Sequence, residues 1–142
     1  MNKIEDQPIV CDLTAIPADI RKQHVLTAPR IFEAAQEIRE LPNGYAFRLP
    51  NDPDMFMALA NFVEHERRCC PFWAFGLTVE PHGGPLWLQL TGVEGAKQLL
   101  ETALSEQQGE DVFKRLIHTG GDSRLEQAVA QSAVALSGVL TR

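Results

Sequence analysis

Hydrophobic residues in the middle of the chain recur every three or four positions, which is the spacing of an amphipathic helix. The stripe that they define in residues 53–69 contains Met55, Leu59, Phe62, Glu66 and Cys69. Asp52 is a favourable N-cap and Pro53 suits a first helical position, whereas Pro71 disfavours helix at the residue before it. The pattern therefore predicts a helix over 53–69 with a carboxylate and a thiol on its buried side.

Alternating hydrophobic and polar residues, interrupted by turn residues, predict two hairpins. The first covers residues 36–49, where Asn43-Gly44 supplies the positive φ angles of a tight turn. An alternative extends the preceding helix through Glu40. The second hairpin covers residues 72–90, with its turn at 81–85. The residues predicted to form its buried face are Trp73, Phe75, Leu77, Val79, Leu86, Leu88 and Leu90.

The N-terminal part of the chain predicts a strand followed by a helix. Residues 9–16 alternate, and as a strand they would direct Cys11 toward the interior. Residues 17–35 have a helical pattern in which Pro29 would kink or split the helix and Thr27 would cap a second piece. The residues expected on the packed side of this helix are Ile20, His24, Ile31 and Ala35.

After the second hairpin, Thr91-Gly92-Val93-Glu94 is a capping-box signature for a helix that ends near Leu104. The order of elements predicts an α+β domain over 1–104, in which an N-terminal strand and two hairpins form an antiparallel sheet packed with helices. Residues 105–142 are predicted to be a helical C-terminal extension. Its apolar stripe would pack either on the sheet or on a second copy of the chain, and contains Leu125, Val129, Ser132, Leu136 and Leu140.

Composition and charge exclude several classes of protein. The 142 residues with 44% hydrophobic content suffice for one domain without disulfides. A net charge of -6 and the lack of a Lys/Arg stripe argue against nucleic-acid binding. No run approaches the roughly 20 apolar residues that span a bilayer, and the polar N-terminus is unlike a signal peptide. We therefore expect a cytoplasmic protein with reduced thiols and no membrane partner.

Candidate chemistry is concentrated in the three cysteines of the chain. Cys69 and Cys70 are adjacent at the end of the predicted helix, and an inward Cys11 would bring a third sulfur to them. Thiolates select soft or borderline ions such as Zn(II), Cu(I), Hg(II) and As(III). In the alternative interpretation, all three are small core hydrophobes without a chemical role.

Glu66 requires a partner, because desolvating a carboxylate costs several kcal/mol (roughly) when nothing pairs with it. It would serve as a metal ligand, a proton acceptor or a group that orients a ligand, or it would pair with an arginine. The candidate arginines are Arg39, Arg48 and Arg67. A closed tetrahedral zinc site needs a fourth ligand beside three sulfurs, for which Glu66, His24 and His65 are the candidates.

The run Glu66-Arg67-Arg68-Cys69-Cys70-Pro71-Phe72, together with Phe75 and residues 87–95, resembles a family of small bacterial proteins of unassigned function. That family carries a Glu-x-x-Cys-Cys-x-Phe motif and an early strand with one cysteine, which Cys11 matches. The resemblance covers residues 9–104. Because the family is met near mercury-responsive or arsenic-responsive regulators and transporters, the resemblance implies a role in resistance to these elements. It supplies no enzymatic activity that could be carried over to this chain, so whether the chain is an enzyme stays open.

The leading interpretation is soft metal or metalloid binding for detoxification, buffering or delivery. The predicted ligands are Cys11, Cys69, Cys70 and Glu66, and the candidate ions are Zn, Hg, As and Cu. The alternatives are a thiol-dependent enzyme or redox protein using the same cysteines, and a non-catalytic interaction module. A disulfide between adjacent cysteines would strain the intervening peptide, so the bond between Cys11 and Cys70 would be the easier one to form.

Overall fold

A computed structural model describes residues 8–108 and 117–118 of the chain. The helices of the described part are α1 (Ala18–Glu33), α2 (Pro53–Cys69) and α3 (Ala96–Gln108). Its strands are β1 (Glu37–Leu41), β2 (Gly44–Leu49), β3 (Ala74–Val79), β4 (Leu86–Thr91) and β5 (Ile117–His118). The predicted α+β class is therefore confirmed.

The strands form one sheet in the order β3-β4-β2-β1-β5. The two predicted hairpins supply its four long strands, and these pair antiparallel, whereas β5 lies parallel to β1. The central strand β2 sets the register, since Phe47 lies opposite Ile38 of β1 and opposite Leu88 of β4. The two hairpins thus join through β2 and β4 into a continuous surface.

Helices α1 and α2 pack on the face of the sheet that Ile38, Phe47 and Leu88 share. The ring centroid of Phe32, on α1, lies 5.1 Å from that of Phe47 and 5.5 Å from that of Phe62, on α2. The most deeply buried side chains of the core include Ile38, Phe47, Leu49, Leu59, Leu86 and Leu88. This packing fixes where α1 faces α2, and therefore which polar side chains meet between them.

The predicted N-terminal strand does not form. Residues 8–16, here called the N-terminal strap, contain a short 3-10 turn at Leu13–Ala15. The side chain of Asp12 accepts hydrogen bonds from the backbone N–H and the hydroxyl of Thr14, and such local bonds compete with a strand ladder. Cys11 is consequently exposed on the strap instead of directed inward from a strand.

Helix α1 is one continuous element with Pro29 inside it, so the predicted split at this proline is wrong. Thr27 does not cap a second piece. Its hydroxyl instead donates a hydrogen bond of 2.9 Å to the carbonyl of Gln23, one turn earlier. The expected packed side is confirmed, since His24 and Ile31 are buried.

The turn of the first hairpin differs from the predicted one. Leu41 pairs with Gly44, which leaves Pro42 and Asn43 as the two turn residues. Gly44 is required by close packing instead of a positive φ angle, because an added Cβ would lie 1.8 Å from the carbonyl oxygen of Leu90. The Asn-Gly pair thus predicts the position of the hairpin correctly, but the glycine is needed for close packing against β4 and not for a positive φ angle.

Two further boundaries differ from the sequence prediction. Thr91 is the last residue of β4 and not a helix cap, and α3 begins at Ala96 after Gly95, which has a φ of 96°. On β3, an edge strand, Leu77 and Val79 are exposed, so the predicted buried face of the second hairpin is confirmed for β4 but not for these two residues. The edge position leaves β3 with a neighbouring strand on one side, β4.

The apolar stripe predicted in the C-terminal extension lies outside the described residues, and with it the homodimer contact that it suggested. The same holds for most of the predicted extension over 105–142. Within the described part of the chain, no helix has the length and hydrophobicity needed to traverse a lipid bilayer.

Candidate metal site

Three potential metal ligands meet where the last turn of α2 faces the middle of α1. The Nε2 atom of His24 lies 2.7 Å from Oε2 of Glu66, and Sγ of Cys69 lies 3.7 Å from the same oxygen. The three ligand atoms all lie within 4.8 Å of one another. A nitrogen, an oxygen and a sulfur donor therefore share one small region of the interior.

The local sequence explains why Glu66 and Cys69 are neighbours. They lie three positions apart on the buried stripe of α2, and residues at that spacing lie on one helix face. The stripe is confirmed, since Leu59, Phe62 and Cys69 are each at most 3% exposed. Glu66 retains 19% exposure of its side chain, which lowers but does not remove the cost of desolvation.

His24 is the partner that the buried carboxylate requires. Its side chain is 4% exposed and its ring stacks on that of Phe62 with centroids 5.9 Å apart. The arginines considered from the sequence lie elsewhere: Arg67 contacts Glu64 at 2.7 Å, while Arg39 and Arg48 contact Glu37 on the sheet at 2.8 and 3.8 Å. A histidine from another helix thus stabilises Glu66.

The three sulfurs converge as the sequence predicted, but two of them are oxidised. Cys11 and Cys70 form a disulfide, and Cys69 is a free thiol. The Sγ atom of Cys69 lies 3.4 Å from that of Cys70. The expectation of reduced thiols therefore holds for Cys69 alone, and the pairing is the one for which the sequence indicated less strain.

Burial, the negative charge of Glu66 and the hydrogen bond between the two side chains together raise the pKa of the Cys69 thiol to about 12, and burial is the largest of these causes. At neutral pH this residue therefore holds its proton. A nucleophilic cysteine needs the opposite shift, toward the thiolate. A bound cation would remove the proton by supplying positive charge next to the sulfur.

The predicted ligands Cys11, Cys69, Cys70 and Glu66 all lie at the C-terminal end of α2, although separate parts of the chain supply them. His24 joins them as a fifth donor. The sequence indicates this residue through its position on the packed side of α1, and it is one of the candidates for a fourth zinc ligand. His65, the other candidate, lies one turn from Cys69 along α2. Its ring centroid lies 5.8 Å from that of His24, outside the donor cluster.

A groove between α1 and α2 leads to this region from the surface. Its volume is about 720 Å³, and His24 and His65 lie along its wall with Met55 and Phe62. Glu66 and Cys69 do not line the groove, so it reaches the donor cluster at His24. The N-terminal strap covers the cluster from the end of α2, through the disulfide and the buried side chain of Ile16.

The arrangement offers donors of mixed hardness and a thiol that keeps its proton, which is chemistry suited to cation binding more than to nucleophilic attack. Comparison of the chain with protein-family models, with curated proteins and with solved structures found no match to any of them.

Proposed function

We propose that this chain binds a soft metal or metalloid ion at the C-terminal end of α2, for detoxification, buffering or delivery of that ion. The observation that carries the proposal is the convergence of His24, Glu66 and Cys69, whose donor atoms all lie within 4.8 Å of one another. Cys70 and Cys11 place two more sulfurs beside them. Chance burial of a small hydrophobic cysteine does not require a carboxylate and an imidazole beside it.

The distances support ion binding after a small rearrangement. Two N or O ligands at about 2.0–2.1 Å from a tetrahedral zinc ion lie about 3.4 Å apart. His24 and Glu66 are closer, at 2.7 Å, because a hydrogen bond joins them. An ion would replace that shared proton and separate the two atoms by several tenths of an ångström, which side-chain rotation can provide.

The identity of the ion determines which donors it needs. A trigonal As(III) ion would use the three sulfurs and leave His24 and Glu66 as neighbours. Zinc would use a mixed tetrahedral set, with sulfur from Cys69 and Cys70 and the two remaining positions filled by His24 and Glu66. The dependence of binding on Glu66 therefore distinguishes the two classes of ion.

The test uses the full chain, reduced with a phosphine and then mixed separately with Zn(II), Hg(II) and As(III). Native mass spectrometry measures the stoichiometry, and competition with a chromophoric chelator measures the affinity. We expect one ion per chain, and we expect Cys69→Ser to abolish binding while the far-UV circular dichroism stays unchanged. Equal stoichiometry and affinity in Cys69→Ser would reject the proposal.

A second candidate function, dithiol–disulfide exchange, is favoured by the disulfide of Cys11 and Cys70 next to a free thiol. It is the weaker candidate because the raised pKa of Cys69 disfavours the attacking thiolate. Its test is the rate at which the reduced chain cleaves the disulfide of a model peptide. A rate no higher than that of a small-molecule dithiol at equal concentration would exclude this activity.

A further inference from the structure

The N-terminal strap lies across the end of α2 that carries the candidate metal site. Apart from Ile9 and Ile16 its residues are exposed, so little hydrophobic burial holds it in place. Its attachments include the disulfide from Cys11, a 2.6 Å hydrogen bond from the N–H of Asp12 to the carbonyl of Cys69, the packing of Ile16, and a 3.0 Å hydrogen bond from Arg21 of α1 to the carbonyl of Ile16. Of these, the disulfide is the one covalent attachment, and it involves two of the predicted ligands.

The oxidation state of that disulfide changes the donor set. With the bond formed, the cluster offers an imidazole, a carboxylate and one thiol, because a thiolate and not a disulfide sulfur is the metal ligand. Reduction adds the thiols of Cys70 and Cys11. The sulfurs of Cys69 and Cys70 are 3.4 Å apart, close to the roughly 3.8 Å expected for two sulfurs on one tetrahedral zinc at 2.3 Å.

We propose that the Cys11–Cys70 disulfide is a redox lock on the metal site, which binds soft ions tightly in the reduced chain and weakly in the oxidised one. This inference rests on the proposed function, since it assigns regulation to the same site. Oxidation by an external disulfide, which accepts the two electrons and two protons of the Cys11 and Cys70 thiols and leaves as a dithiol, removes two of three sulfur donors and fastens the strap over the remaining one. An oxidised chain therefore releases its ion, and a loaded chain resists oxidation.

The reductant that the lock requires is a dithiol. One of its thiolates attacks the sulfur of Cys11, which lies on the exposed strap, while Cys70 is only 4% exposed. The bond between the two protein sulfurs breaks, and its electron pair leaves on the Cys70 sulfur, which takes up a proton. The second thiol of the reductant then displaces Cys11, which is protonated in turn, and the reductant leaves as a cyclic disulfide.

Thermodynamic linkage gives this lock a measurable size. If the reduced chain binds the ion 100-fold more tightly than the oxidised chain, the ion must favour the reduced form by the same factor. For a two-electron couple each tenfold change corresponds to 29.6 mV, so the midpoint potential becomes about 59 mV more positive in saturating ion.

The experiment measures Zn(II) affinity of the full chain in both redox states by competition with a chromophoric chelator, and the midpoint potential by equilibration with a dithiol–disulfide buffer. We expect at least 100-fold tighter binding after reduction and the corresponding rise in potential. Equal affinity in both states with one ion bound would overturn the lock and keep the proposed function. If neither state binds Zn(II), and the reduced chain also binds neither Hg(II) nor As(III), both proposals are rejected.

Cys11→Ser provides the control, because Cys70 then remains a thiol in oxidising solution. Its Zn(II) affinity is expected to be the same, within threefold, with and without oxidant. A variant that still lost its ion on oxidation would assign the effect to another group and overturn the lock. Should this variant fail to fold, the midpoint potential of the natural chain is measured with and without Zn(II). A more positive potential in Zn(II) would support the lock, and an unchanged potential would overturn it.

Discussion

The two ends of α2 reach stability by different routes. At the N-terminal end, the side chain of Asp52 accepts a 2.8 Å hydrogen bond from the N–H of Met55, so the cap is complete within four residues. At the C-terminal end, the carbonyl of Cys69 accepts its bond from Asp12, and Cys70 is covalently joined to Cys11. One end depends on neighbours in the sequence, and the other depends on partners about 60 residues away.

The same contrast separates two glutamates on the C-terminal half of α2. Glu64 lies on the exposed side and pairs with Arg67 and Arg68 one turn later, and these contacts lower the pKa of its carboxyl group. Glu66 lies on the buried side and pairs with His24 of α1. The local pairs hold charged side chains on the solvent-facing side of the helix. The long-range pair instead brings donor atoms from two helices together at the candidate site.

The largest expected effect concerns the covalent attachment at the C-terminal end of α2. Cys11→Ser should lower the free energy of unfolding by about 2–4 kcal/mol, because the disulfide closes a loop between residues 59 apart and restricts the unfolded chain. Urea denaturation without reductant measures the change. The reduced natural chain should unfold at nearly the same urea concentration as the variant, and a loss below about 0.5 kcal/mol would contradict the prediction.

The paired glutamates provide the next contrast, in Zn(II) affinity of the reduced chain. Glu66→Gln should weaken Zn(II) binding about 10–100-fold, because the amide lacks the negative charge of the carboxylate. That charge favours the cation whether Glu66 binds the ion directly or accepts a hydrogen bond from the ligand His24. Glu64→Gln is the matched control on the same helix and should change the affinity less than twofold. Similar losses in both variants would show that the effect is general electrostatics and not a site at Glu66.

At the other end of α2, Asp52→Ala should lower the free energy of unfolding by about 1 kcal/mol, the usual cost of a lost N-cap. Urea denaturation measures this loss as well. Zn(II) affinity should stay within twofold of the natural chain, since the cap and the donor cluster lie at opposite ends of the helix. A large loss of affinity would show that the whole helix, and not only its C-terminal turn, controls the site.

The smallest expected effect is a pH dependence of stability that comes from Cys69. Its pKa rises from about 9 in the unfolded chain to about 12 in the folded one, so the folded state holds this proton more tightly. The contribution is complete below the unfolded pKa and is lost as the pH rises toward the folded value. Between about pH 8 and about pH 9.5, Cys69→Ala should therefore lose less stability than the natural chain, measured by urea denaturation. Parallel losses would contradict this.

Part of the fold could be read from local pattern. Helix α2 has the predicted bounds, 53–69, because its cap, its first proline and its apolar stripe all act within one helical segment. The capping-box signature predicts too early a start for α3, since its first residue, Thr91, is the last residue of β4 and pairs with Gly44 of β2. Sheet pairing with a distant strand outweighs a local helix signal, and no window of neighbouring residues contains that information.

The candidate site divides in the same way. Residue types and helical spacing place Glu66 and Cys69 together. A carboxylate on the buried side of a helix also indicates that a partner must come from elsewhere in the chain. The partner itself is His24, whereas the sequence indicates only three arginines for that role, because the pairing depends on how α1 crosses α2 over the sheet. In the N-terminal strap, alternation predicts a strand, whereas the hydrogen bonds at Asp12 form a turn.

By itself, the sequence determined the class of the fold, the extent of α2, the two hairpins and the place of Glu66 and Cys69 on one face of α2, because short-range hydrogen bonding and periodic burial control all of these. Only the tertiary structure decided that Cys11 bonds to Cys70, that His24 stabilises Glu66, and that Cys69 remains a buried thiol. The physical reason is that contacts between distant segments depend on packing of the whole core, which no local pattern encodes.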